Sequence, residues 1–171
     1  MFEALINALR TPDIRRRIIF VLGMLVVYRA LAVVPVPEVD QAEMGNLIQQ
    51  LPFLQLLDLF SGGGLHSFSI VAMGVNPYIN ASIIMQLMTG VVPRLQALSR
   101  EGEYGRTKIN QYTRYLTVPL AILQSYGYLA LLSSPQNSVV QDFDLTSFTT
   151  LTQIISLTAG TVLVMWIGEL I

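Results

Sequence analysis

Between Leu59 and Pro93 the chain runs without a single Asp, Glu, Lys or Arg, and His66 is the one side chain there able to take up a charge. So apolar a run has to be kept from water. It is too long for one straight membrane span, which needs roughly 17–25 mostly apolar residues. It is also too broken for one helix. Gly62, Gly63 and Gly64 interrupt it, and Asn76-Pro77 interrupts it again; glycine and proline are the residues a helix interior tolerates least. The rest of the chain has the same character. Of 171 residues, 53% are hydrophobic and 12% charged, about half the charge of an average soluble domain. The absence of Cys excludes a disulfide framework, a thiolate nucleophile and a Cys-based metal site.

An all-α, polytopic membrane protein is expected, with four spans at about 18–34, 77–93, 112–132 and 147–168. Thr11 suits an N-cap, Pro12 the first helical position and Asp13 the first turn of the helix that carries the first span. Pro35 and Pro37 end that helix. A helix buried in a soluble protein keeps a polar stripe, but LTQIISLTAGTVLVMWIG in the last span has only Ser, Thr and Gln to offer. No cleavable signal peptide is expected, because the first apolar run ends at Val-Pro-Val-Pro and not at small residues.

The basic residues orient these spans. Arg10, Arg15, Arg16 and Arg17 precede the first, and Arg94, Arg100, Arg106, Lys108 and Arg114 lie between the second and third. The connections 35–76 and 133–146 carry no Lys or Arg; they hold Glu38, Asp40, Glu43, Asp58, Asp142 and Asp144. The positive-inside rule then makes both ends of the chain and the 94–114 connection cytoplasmic. Arg29, near the outer end of the first span, is the exception and is expected to snorkel to the interface.

This orientation leaves Leu56 to Val75 outside yet strongly apolar. Irregular backbone is tolerated at membrane depth only when buried in protein or facing a water-filled cavity. The stretch is therefore expected to dip inward as a half-helix, turn near Gly74–Asn76 and continue as the second span. A loop lying flat on the interface is the alternative. Broken helices mark working sites in many transport proteins.

Enzymatic chemistry finds few parts. His66 has no second His to share a metal or a triad, and a polar side chain at a loop or helix end is the simpler reading of it. Ser61-Gly62-Gly63-Gly64 lacks the Lys of a phosphate loop. No Asp or Glu enters a span before Glu169, so an intramembrane aspartyl protease or a carboxylate relay has nothing to work with. Asn80-Ala81-Ser82 matches a glycosylation sequon but falls inside the second span. No enzyme, cofactor or metal site is expected.

Four stretches carry a resemblance: VPVPEVD (34–40), LFSGGGLHSFSIVAMGVNPYINASIIMQL (59–87), SREGEYGRTKINQYTRYLT (99–117) and MWIGE (165–169). In order and in spacing they resemble the SecY family, the channel subunits of the bacterial Sec translocon, over almost the whole chain. The resemblance implies a protein-conducting channel in the cytoplasmic membrane of a bacterium. Such a channel moves unfolded preproteins across the membrane and releases hydrophobic segments sideways into lipid. The family has ten spans in two inverted halves, so a chain with four is expected to be an N-terminal piece of a larger channel, unable to enclose a pore alone.

The resemblance also implies roles. A plug half-helix falls at about 58–69, and Asp58, Leu59, Phe60, Ser61, Gly62, Gly63, Gly64 and Leu65 are assigned to it. A hydrophobic pore ring falls on Val75 and Ile79, whose i, i+4 spacing lets them share a helix face. A lateral gate takes in Ile83, Gln86 and Gln124; a plain hydrogen bond between spans two and three is the simpler reading of the two glutamines. Docking falls on Arg100, Arg106 and Lys108 of the cytoplasmic loop 94–111. The implied partners are the SecE and SecG subunits, the SecA ATPase motor, the ribosome, signal peptides, nascent or unfolded polypeptide, and membrane lipid. Two other classes stay open: a small-solute transporter with a broken-helix substrate site, and a membrane scaffold that transports nothing.

Overall fold

Pro12 does start a helix, and the fixed φ and missing N–H that suit proline to that position explain why. The computed structural model describes residues 12–37, 39–133 and 147–171. The Thr11 cap, Arg10, Glu38 and the connection 134–146 with Asp142 and Asp144 lie outside the described residues. Among the described residues seven helices follow in order: α1 (Pro12–Leu31), α2 (Gln41–Gln50), α3 (Pro52–Phe60), α4 (Asn76–Val91), α5 (Pro93–Arg100), α6 (Glu103–Leu132) and α7 (Phe148–Leu170). Among the described residues the one β-type pairing is an isolated bridge between Pro35 and Ser69.

Small residues bring α4, α6 and α7 together. The buried stripe of α6 reads Thr113, Thr117, Ala121, Ser125 and Leu129, one residue every four. It packs against α4, which buries Pro77, Ala81 and Met85, and against α7, which buries Gln153, Leu157, Thr161 and Val164. In lipid no hydrophobic force drives helices together, so close backbone approach along small side chains does that work. The hydroxyls of Thr113, Thr117 and Ser125 donate to carbonyls one turn back, at 3.0, 2.8 and 2.7 Å, which removes them as buried orphans. Outward faces carry exposed aliphatics such as Val26, Leu123 and Ile155, the surface that lipid solvates.

Two helices, α6 and α7, are long and apolar enough to cross a membrane. The expected first and second spans overlap α1 and α4, which do not meet that measure. The first turns of α1 hold Arg15, Arg16 and Arg17. The 16 residues of α4 reach only about 24 Å at 1.5 Å per residue, against a hydrocarbon core of about 30 Å.

The segment between α1 and α4 differs from its sequence expectation. It contains two helices before the glycines. Asp40 caps α2 by accepting from Ala42 N and Glu43 N at 2.9 and 3.3 Å, and α2 buries Met44, Leu47 and Ile48. The expected half-helix at 58–69 is not one helix. The helical part is Pro52–Phe60, and from Ser61 to Val75 the chain is a succession of turns. The glycines are the cause. Gly62 and Gly63 take φ of 64° and 83°, the left-handed backbone that glycine adopts without a Cβ penalty. They end the helix and redirect the chain.

These turns are not loosely attached. Leu65 and Phe68 are each 1% exposed, in a cluster with Met44, Leu47, Ile48, Leu54, Met73, Leu129 and Leu157. Val36 N donates to Phe68 O at 2.9 Å and Ile70 N to Val34 O at 3.0 Å, tying them to the strap after α1. Gln153, fully buried on α7, donates to Pro37 O at 3.0 Å. Gly160 completes the seat: a Cβ there would lie 1.8 Å from Ile70 O, so only glycine lets α7 approach so closely.

Candidate functional site: a turn segment and the aliphatic helix it leads into

Asp58 organises the turns from within. Its Oδ1 accepts His66 N–H at 2.8 Å. Its carbonyl accepts Gly63 N–H at 2.9 Å and the Ser61 hydroxyl at 3.0 Å. Ser61 Oγ in turn accepts Leu65 N–H at 3.0 Å, and Ser69 N donates to Gly64 O at 2.8 Å. Residues 58–69 therefore form a self-bonded knot. Leu59 projects outward and Ser61, Gly64 and Leu65 are buried; Phe60 closes α3. His66 N–H is bound by Asp58, and its ring packs 3.5 Å from the position of a Cβ on Gly45 of α2, which agrees with the plain polar reading of that residue.

Two side chains of α1 reach the knot from outside. Tyr28 OH donates to Ser61 O at 2.8 Å, and Arg29 NH1 donates to Gly62 O at 2.8 Å. This corrects the expected role of Arg29: its charged group does not simply turn toward the interface but holds a backbone carbonyl 33 residues away. The sequence signal was there, since an ionisable side chain in an apolar span is a functional candidate by default. Its partner carried no signal at all.

After the knot in the chain, Gly74 makes a turn with φ of 54° and Val75 leads into α4. Ile79 N donates to Val75 O at 3.0 Å, so the two do sit one turn apart on one face. Val75, Ile79 and Ile83 are 42%, 46% and 50% exposed, while the opposite face of α4 is buried. Gln86 donates to Ser82 Oγ of its own helix at 3.3 Å. Gln124 borders an open apolar groove of about 410 Å³ with Phe53, Leu54, Leu123, Tyr128 and Leu131. Among the described residues no hydrogen bond joins Gln86 to Gln124, so the bond between spans that offered the simpler reading is not made.

The basic residues gather at the opposite end. Arg16 and Arg17 of α1 border a cavity shared with Leu170 of α7, and Arg114 of α6 pairs with Glu169 of α7 at 2.6 Å. Arg100 ends α5, and Arg106 and Lys108 open α6. The corner between them is tight: Gly102 has φ of 73°, and a Cβ on Gly105 would lie 1.7 Å from Leu98 O. Lys108 Nζ stands 5.8 Å from the centre of the Tyr104 ring, within reach of a cation–π contact. Among the described residues no group of acids and His could hold a metal ion.

Comparison with known proteins decides the family. The SecY family model matches residues 69–171. This chain belongs to the SecY family. The protein translocase subunit SecY of Streptomyces griseus is 48% identical across the whole chain, and that of Corynebacterium glutamicum is 45% identical across 99% of it. The counterpart from Mycobacterium tuberculosis is 41% identical across the whole chain. The chain spans about two-fifths of the length of these relatives, 41%, 40% and 41% in turn. Membership places it among polytopic helical membrane proteins, as its composition implied.

Proposed function

We propose that this chain supplies the N-terminal part of a protein-conducting channel, in which residues 58–69 plug a pore narrowed by Val75 and Ile79. Four spans, at about 18–34, 77–93, 112–132 and 147–168, form its membrane domain. The observation that carries the reading, beside family membership, is the succession of two features described above: a self-bonded knot of turns and, directly after it in the chain, a helix with an exposed aliphatic face. Family relatives are named as translocase subunits, which supports a channel assembled with partner subunits and not an enzyme. Aliphatic constrictions exclude water and ions by dewetting and give a passing polypeptide no polar group to bind.

The finer roles extend this reading. The short α4 becomes a complete crossing once the turns at its head are counted, because they fill the outer part of the membrane thickness. The end gathering the basic residues is cytoplasmic, and the α5–α6 corner with Arg100, Arg106 and Lys108 is where a cytosolic ATPase or ribosome docks. Ile83, Gln86 and Gln124 line the side opening to lipid; a Gln bonded only within its own helix can exchange partners at a cost of about 0.6–2 kcal/mol. SecE, SecG and SecA are the partners, unfolded preproteins the cargo, and a bacterial cytoplasmic membrane the location.

Cross-linking tests the pore. In the full-length channel, Ile79→Cys should cross-link to an arrested translocating chain, and Val26→Cys on the outer flank of α1 should react only with lipid-phase probes. A silent Ile79→Cys beside a working control returns Ile79 to ordinary helix packing.

A further inference from the structure

The hydrogen bonds of the 58–69 knot fall into two sets. Those from Asp58 and Ser61 begin and end inside the knot and travel with it if it moves. Those to Val34 and Val36 lie at its base, residues 68–70, where a hinge can keep them. Three others leave the knot altogether and must break for residues 58–67 to move away together: Tyr28 OH to Ser61 O, Arg29 NH1 to Gly62 O, and Ser67 Oγ to Ala32 O at 3.1 Å. All three reach the end of α1 and the turn that follows it.

Arg29 is the informative member. It stands alone among the described basic residues in lying at this end, and no described carboxylate pairs with it. A guanidinium stays charged at any relevant pH, and its bond to a carbonyl is charge-assisted and stronger than a neutral one. The chain thus sets a permanent charge at the end of an apolar helix and directs it to the backbone of Gly62. At φ of 64°, Gly62 presents that carbonyl in a conformation other residues rarely adopt. Tyr28 adds a donor beside it, with its ring 3.6 Å from where a Gly62 Cβ would stand.

We propose that Tyr28 and Arg29 are positioning residues that latch the plug from outside and so set how strong a signal sequence must be to open the channel. The proposal rests on the reading of 58–69 as a plug, and the experiment separates the two. Tyr28→Phe, Arg29→Met and Arg29→Lys are made in the full-length channel, each with residues 61–67 present and deleted. Ion leak is measured in planar bilayers, and export is measured with intact and defective signal sequences. With the segment present, Arg29→Met should raise spontaneous opening about five- to tenfold, roughly 1–1.4 kcal/mol. It should also restore export of precursors with defective signals while export of normal precursors continues. Tyr28→Phe should do the same to a smaller extent, and Arg29→Lys should stay near the parent. With 61–67 deleted, Arg29→Met should add nothing. If the deletion raises leak but Arg29→Met does not, or if Arg29→Met acts equally without the segment, the latch is wrong and the plug stands. If the deletion leaves leak and signal selectivity unchanged, the plug reading fails and takes the latch with it.

Discussion

Phe68 offers a test in which the usual order of two substitutions reverses. Its ring is 1% exposed, among the largest fully buried side chains of the fold, and truncating such a ring to alanine costs about 3–5 kcal/mol. Its backbone is unusual as well: φ is 39°, the one positive value among the described residues other than glycine. Left-handed backbone costs a residue with a Cβ roughly 1–2 kcal/mol. Phe68→Ala keeps that strain and loses the ring; Phe68→Gly loses both. At an ordinary position glycine is worse than alanine by roughly 0.5–1 kcal/mol because the unfolded chain is freer. Here relief of strain outweighs that difference, and Phe68→Gly should be the more stable by about 0.5 kcal/mol. The assay is thermal unfolding of the detergent-solubilised full-length complex at fixed protein concentration, expected to rank parent above Phe68→Gly above Phe68→Ala. Phe68→Leu, which keeps most of the bulk, should fall within about 1.5 kcal/mol of the parent. Phe68→Gly at or below Phe68→Ala would refute the strained backbone, and a parent-like Phe68→Ala would refute the buried anchor.

Three further outcomes follow from the geometry. Single cysteines at Asp40 and Glu103, in an otherwise Cys-free channel, should label from opposite sides of the membrane, 40 from outside and 103 only from the cytosol; the reverse pattern overturns the topology. Gly160→Ala, whose Cβ would stand 1.8 Å from Ile70 O, should force α7 from the 69–71 strap at about 1–3 kcal/mol, measured as a lowered unfolding midpoint; unchanged stability would show that the approach is looser. Changing Val75 and Ile79 together to Gly should increase spontaneous ion openings with the plug intact, and changing both to Leu should be nearly silent in the same bilayer recordings, because the seal depends on apolar volume; equal conductance from the two pairs would sink the constriction.

Local signals in the sequence reach as far as local physics does. Pro12 at the start of α1, the prolines after it, Gly74 at the turn and Asn76-Pro77 at the head of α4 are all legible because each constrains its own φ or its own N–H. Helices α2 and α3 were legible too, in the Asp40 cap with Met44, Leu47 and Ile48 at helical spacing and in Pro52 as a first helical residue. The uncharged run that follows draws attention away from them and suggests a half-helix within about 56–75, which the family resemblance narrows to 58–69. Gly62–Gly64 show that a helix stops but not which way the chain turns, since that depends on a carboxylate, Asp58, closing on His66 N–H. The contacts at the site itself are beyond any local signal. Tyr28 and Arg29 meet carbonyls 33 residues away, Gln153 meets one 116 residues away, and Gly160 matters only because Ile70 lies against it.

The polar groups of α4 bear on which kind of conduit the chain can help to form. A solute transporter needs unspent donors and acceptors, or an ionisable group, near the middle of the membrane. On α4 two of the polar side chains are engaged within the helix: Gln86 donates to Ser82 Oγ, and Thr89 Oγ1 donates to Gln86 O at 2.6 Å. What faces outward at every fourth residue is Val75, Ile79, Ile83 and Leu87, four aliphatic side chains with nothing to offer a specific solute. Such a surface discriminates by volume and by the cost of wetting it, and neither depends on the sequence of what passes. A conduit for many different unfolded chains requires that indifference, and any selectivity it has must then come from whatever opens it. On the proposed reading, the contacts that oppose opening are the buried Leu65 and Phe68 and the two α1 donors on Ser61 and Gly62. On that reading sealing and selection fall to different residues. Changes to the aliphatic face should therefore alter leak while leaving the choice of signal sequence alone, and changes at Tyr28 or Arg29 should alter both together.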